Sequence, residues 1–260
     1  MLCPDNHGRL GWRPVQGYAF ARQTGLAPIA ADELPQLAQD VPVVFQKLGA
    51  QWQAVAVLGP VPMVNLQVEA DGNWRGSFVP GILRTYPFQL SENSDALAFW
   101  EGYRPEELGP EGLEPVFIEG QLSPTLGTAL AFLKELQKGI ERLHVPLSWL
   151  ETRDVLRPWR VPDVVDASDI PQHTDLFAID RGALEALGEA DWFESRDEVS
   201  VSALLPLFHA HLSSLEHAKQ FKAQAWEIVS AAIRPKEPET HAPEADAFLA
   251  AIARDYHGSG

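Results

Sequence analysis

VNLQVEADGNWRGSFVPGILRTYPFQL, residues 64–90, is the stretch on which the reading of this chain turns. Leu66 and Val68 alternate with polar Gln67 and Glu69, Asp71-Gly72 suits a tight turn that needs positive φ, and Trp74, Gly76 and Phe78 continue on a returning arm. Two strands are expected to meet here. Pro80 and Pro87 then bracket Gly81-Ile82-Leu83-Arg84-Thr85-Tyr86, and since proline cannot donate to a ladder, the chain must bend at each end of that segment. The bend is rich in aromatic rings and holds one arginine. It either locks a core or lines a pocket.

Upstream, Val43 to Lys47 and Gln53 to Leu58 are apolar runs set off by Gly49 and Gly59-Pro60. With 64–69 and 74–79 they read as a four-stranded meander. Downstream, Ser123-Pro124 is an N-cap followed by proline at the first helical position, and Leu126, Leu130, Leu133, Leu136 and Ile140 recur at helical spacing. A helix over 124–139 is expected, with Gly127 as its weak point. Burying four leucines, at about 1.5–3 kcal/mol each, outweighs any surface charge pair, so this helix docks on the sheet. The fold class that follows is α+β, an antiparallel or mixed sheet meander with packed helices in a single main domain.

Further along, Leu147-Ser148-Trp149-Leu150-Glu151 and Leu156-Arg157-Pro158-Trp159 suggest short strands, Asp163 to Asp175 an acidic loop, and Leu176 to Ile179 a strand before a helix at 181–188. A long helix spans about 201–229, its true start near residue 205 because of Pro206, with Leu204, Leu205, Phe208, Leu212, Leu215, Phe221 and Trp226 on its buried side. The domain layout expected is an irregular arm over 1–26 packed by Trp12, Tyr18 and Phe20, the α+β domain over 27–229, and a Pro/Glu linker with a short helix (residues 245–257) over 230–260.

The motifs in residues 64–90 resemble the central signature of bacterial SapC family proteins: Asn65-Leu66, Gly72-Asn73-Trp74, Phe78-Val79-Pro80 and Arg84-Thr85-Tyr86-Pro87-Phe88. Pro42-Val43-Val44-Phe45, Ala54 to Gly59, Val116-Phe117 with Gly120 and Ser123-Pro124, and His211-Leu212-Ser213-Ser214-Leu215 follow in the same order. The likeness runs from about residue 27 to residue 221. The span Asn93 to Glu114, with Phe99-Trp100 and Tyr103, departs from it. The resemblance implies a non-enzymatic bacterial protein linked to the surface layer or its export. It implies no catalytic motif.

Composition limits the partners. Of 260 residues, 36 are acidic and 20 basic, a formal net charge of −16, and such a surface repels a polyphosphate backbone or an anionic membrane. Nucleic acid is not expected as a partner. One cysteine, Cys3, excludes an internal disulfide and a cysteine metal cluster. The first thirty residues hold Asp5, Arg9, Arg13 and Arg22 without a continuous apolar run, so neither a Sec leader nor membrane insertion is expected. The protein is then cytoplasmic, or exported without a Sec signal to the cell surface.

Arg84, Tyr86, Asn65 and Phe88 are the candidate ligand-binding residues. A guanidinium in an aromatic bend can grip a carboxylate with two N–H donors or stack on a ring, and it can equally form an internal ion pair. Asn65 offers an amide at the sheet edge, or an Asx cap for the Pro62-Met63 turn. The expected ligand is a peptide or protein. A rival set, His173 and Asp175 with His211, has the residue types of an iron(II) oxygenase triad, although His209, His211 and His217 also read as a solvated helix face. A third class, a homo-oligomeric structural protein, predicts self-association in sedimentation. Walker A, Gly-x-Gly-x-x-Gly, His-Glu-x-x-His and Gly-x-Ser-x-Gly patterns are missing from the chain.

Overall fold

The computed structural model describes residues 1–91, 95–109, 112–161, 172–189, 191–192 and 201–221. Residues 1–222 form one compact unit. In chain order it contains α1 (Pro4–His7), β1 (Leu10–Trp12), β2 (Leu26–Ile29), α2 (Leu34–Leu37), β3 (Val43–Leu48), β4 (Gln51–Val57), α3 (Gly81–Arg84), β5 (Phe88–Leu90) and β6 (Leu97–Phe99). Three short strands follow, β7 (Glu106–Glu107), β8 (Glu114–Pro115) and β9 (Phe117–Ile118), and then β10 (Gln121–Leu122). The second half holds α4 (Pro124–Glu141), α5 (His144–Thr152), β11 (Leu156–Pro158), β12 (Leu176–Ile179), α6 (Arg181–Glu185) and α7 (Val201–Ser214).

The class is α+β. The largest sheet has the order β11-β12-β3-β4-β2, every neighbouring pair antiparallel. Its centre is the β3–β4 hairpin, where Val43 faces Ala56 and Phe45 faces Ala54, all fully buried. The other neighbour of β4 is β2, from the N-terminal part of the chain, which pairs Leu26 with Val57 and Ile29 with Ala54. The expected continuation of the meander through 64–69 and 74–79 does not form: a single bridge joins Val68 to Trp74. The turn chemistry between them is as expected, with Gly72 at φ +92° and Asp71 accepting from the Asn73 N–H. The two arms are too interrupted to ladder, because Gly76 and Pro80 break one of them and Asn65 turns the other.

α4 matches the expected helix. It starts at Pro124 and buries Leu126, Leu133, Leu136 and Ile140 in a second core with Trp12, Phe88, Leu97 and Val116. Ser123 stands at the cap position, yet its hydroxyl makes no cap bond; its carbonyl instead accepts from the Gly127 N–H at 2.8 Å. Residues 147–151 form not a strand but the body of α5. Pro146 lies in that helix's first turn, where no N–H is required, and Leu147, Trp149 and Leu150 pack into the main core.

α7 runs through Pro206, forgoing one backbone bond, and passes into a 3-10 turn over Leu215–Gln220. Its buried side is Leu204, Leu207, Phe208, His211 and Ser214, whereas Leu205 is 63% exposed. The face is rotated from expectation. His211, expected on a solvated face, is buried completely. Residues 163–171 of the acidic loop expected over 163–175, the end of the expected long helix over 222–229 with Trp226, and the linker and short helix expected over 230–260 fall outside the described residues.

Candidate functional site

The segment after Pro80 begins as the single helical turn α3 and leaves it through a cis Tyr86–Pro87 bond into β5. Two of the candidate residues hold this elbow from inside. Phe88 is 1% exposed and meets Trp12 edge-on at 5.0 Å and Phe99 at 5.1 Å. Asn65, 5% exposed, accepts from the Gln67 N–H through Oδ1 and donates through Nδ2 to the Ala21 carbonyl, so it forms an Asx turn with the residues after it. Both ends of its amide are held by the backbone.

The other two reach the surface. The Arg84 guanidinium lies over the Phe78 ring at 5.1 Å and the Phe132 ring at 5.0 Å, with its side chain 40% exposed. It meets the buried Glu33 at 3.5 Å. That contact is long because Glu33 already has partners: Oε2 accepts from the Ala30 N–H at 3.0 Å and Oε1 from the Gly81 N–H at 2.7 Å. Burial pushes the Glu33 carboxyl above its ordinary range, while those two N–H groups and Arg84 pull it the other way. Among the described residues Arg84 has no other polar partner.

Tyr86 stacks on Phe20 at 3.8 Å and meets Trp100 and Tyr103 edge-on at 5.5 and 5.9 Å. Burial first, and Tyr103 second, raise its phenol above the usual value, so it stays a neutral hydroxyl. Phe20, Tyr86, Trp100 and Tyr103 are all half-buried, a composition that suits a binding hot spot. Sequence reasoning did not place Phe20, Trp100, Phe132 or Glu33 at this elbow. Trp100 and Tyr103 come from the span that departs from the family pattern, and no local signal links Glu33 to an arginine so far along the chain.

Two adjoining cavities flank α4. One, of about 210 Å³, is lined by Ile82, Leu133, Leu136 and Ile140 together with Gln89 and Gln137. The other, of about 420 Å³, lies by Gln51, Trp52, Gln53 and His144 and shares Gln137 and Ile140 with the first. Here β4 has an open edge, because β2 covers only residues 54–57, and the Trp52 N–H donates instead to His144 Nδ1 at 3.0 Å.

The residues of the rival metal set are not brought together. His211 Nε2 accepts from the Ile179 N–H at 3.0 Å and Nδ1 bonds the Val43 carbonyl at 2.7 Å, which leaves no nitrogen for a metal. His173 Nε2 bonds the Gly59 carbonyl at 3.0 Å, and Asp175 sits at a positive-φ turn. Among the described residues no group of three or more His, Cys, Asp or Glu could hold a metal ion. No helix among them is long and apolar enough to cross a membrane.

The fold and this elbow define an antiparallel α+β protein with a surface cation seated among aromatic rings. The chain belongs to the SapC family, whose model matches residues 2–221 and so takes in the N-terminal segment as well. No curated protein and no solved structure matches it.

Proposed function

We propose that this chain is a non-enzymatic recognition protein that binds a peptide or protein segment through Arg84 and Tyr86, and that, in line with what the family resemblance implies, it serves the surface layer or its export. The observation that carries the reading is the state of Arg84: a guanidinium held in place by two rings, 40% exposed, and only loosely engaged by a carboxylate that two backbone N–H groups already satisfy. Orientation before binding removes much of the entropic cost of immobilising a long side chain. Tyr86 and its ring neighbours supply apolar contact area beside the charge. Asn65 and Phe88 shape the elbow from within.

Selection of a random peptide display library on the immobilised full chain tests this. A consensus enriched on the wild type and lost on both Arg84→Ala and Tyr86→Ala is the expected result. Equal enrichment on wild type and variants, or no enrichment at all, contradicts the reading.

A further inference from the structure

Gly81 brings the elbow up to Leu136, which lines the smaller cavity. A Cβ built on it would lie 2.8 Å from Leu136 Cδ1, 2.9 Å from Glu33 Oε1 and 3.2 Å from Arg84 Nη2. The guanidinium therefore lies close to Leu136, which lines the cavity, and Ile82, from the same helical turn as Arg84, lines it too. A cation, apolar side chains near it and glutamines that line the same cavity form a graded sequence. From Arg84 it passes Ile82, Leu133 and Leu136 to Gln137, and beyond Gln137 the larger cavity continues to Gln51 and Gln53 at the open edge of β4.

We infer that the ligand is a peptide carrying a carboxylate next to an apolar side chain: the carboxylate meets Arg84, the apolar side chain enters the cavity over Leu133 and Leu136, and the preceding backbone runs past Gln137 toward β4. This deepens the proposed function and rests on it. The charge argument selects the ligand: Arg84 has donors to spare, and a planar guanidinium pairs best with a carboxylate in bidentate geometry. The overall charge of −16 does not oppose this at contact range, since at physiological ionic strength exposed charges beyond about 8 Å are largely screened. The Nε2 groups of Gln89 and Gln137 donate to the Phe99 carbonyl and the Glu141 carboxylate, and their amide oxygens are the groups that can accept from a peptide N–H. A cavity of about 210 Å³ has room for an aliphatic side chain.

The source of the carboxylate is either a chain terminus or an acidic side chain, and three synthetic peptides separate them. Acetyl-Ala-Ala-Ala-Leu with a free carboxyl end, the same peptide as its C-terminal amide, and acetyl-Ala-Ala-Glu-Leu amide are titrated calorimetrically into the full chain. The free acid is expected to bind at least tenfold more tightly than the plain amide, and Arg84→Ala to abolish that difference. Arg84→Lys, which keeps the charge and loses the planar fork, is expected to retain only part of it. Binding of the glutamate-bearing amide equal to that of the free acid supports a side-chain source, and its absence supports a chain end. Binding of neither carboxylate-bearing peptide more tightly than the plain amide, or binding by none of the three, overturns the inference; if display selection still returns an Arg84-dependent peptide, the recognition function survives that failure, and if selection also fails, both fall.

Discussion

Arg84 and His211 illustrate two outcomes for a charged or chargeable group in this fold. Arg84 keeps its charge near water, and an ion pair this exposed on one side contributes at most about 1 kcal/mol, so Arg84→Ala is expected to lower Tm by no more than about 4 °C in a thermal melt. His211 is sealed between α7 and the sheet, and burial lowers its pKa from 6.5 to about 4, opposed by its bond to the Val43 carbonyl. Because the folded value lies below the unfolded one, the stabilisation is present above pH 6.5 and is lost as pH falls from there toward 4. At about 1.4 kcal/mol per unit this amounts to roughly 3 kcal/mol. Urea melts at pH 7, 5.5 and 4 should show the decline, and His211→Gln, which can keep both hydrogen bonds, should flatten it. The arginine was legible in the sequence as a cation in an aromatic bend. The histidine was not, because its neighbours on α7 are split between exposed and buried positions and its partners, Val43 and Ile179, lie on two distant strands.

At the scale of elements, helices with a regular apolar period were readable and strands were less so. α4 announces itself by Ser123-Pro124 and a leucine stripe, and its single weak point is testable: a Cβ at Gly127 meets nothing within 4 Å. Gly127→Ala should therefore stabilise the protein by about 0.5–1 kcal/mol, read as a rise in Tm. Gly59 is the opposite case. A Cβ there would lie 1.9 Å from the Val64 carbonyl oxygen, so Gly59→Ala must push apart the chain that leaves β4 and the segment that leads to the elbow. A loss of at least about 2 kcal/mol is expected, and Tm should fall by about 4–8 °C. The strands predicted over 64–69 and 74–79 failed for a related reason. Alternation was present, but pairing is settled by which partner reaches the free edge, and the edge of β4 over residues 54–57 is taken by Leu26–Ile29. Likewise Leu147 to Glu151 looked like a strand by composition, while Pro146 in a first turn was the available signal for a helix.

For the whole molecule, composition and motif order carried more than local pattern. The α+β class and the SapC membership were both legible, the second through motifs strung over much of the chain, and the family match extends to residues 2–221. The site was legible only in part. Arg84 and Tyr86 could be named from the proline-bracketed stretch, but the partners that hold them come from far along the chain in both directions: Glu33 and Phe20 before them, Trp100, Tyr103 and Phe132 after. A charge of −16 predicts that the protein leaves the mobility of duplex DNA unchanged in a gel shift even at 50 mM salt, where phosphate-driven binding is strongest. The central claim is that an outside polypeptide meets Arg84 and that the fold does not depend on it. Its most direct measurement is the affinity of a display-selected peptide for the wild type and for Arg84→Ala, with a thermal melt of each: at least a tenfold weakening with Tm lowered by no more than about 4 °C is predicted, and equal affinities would contradict the account.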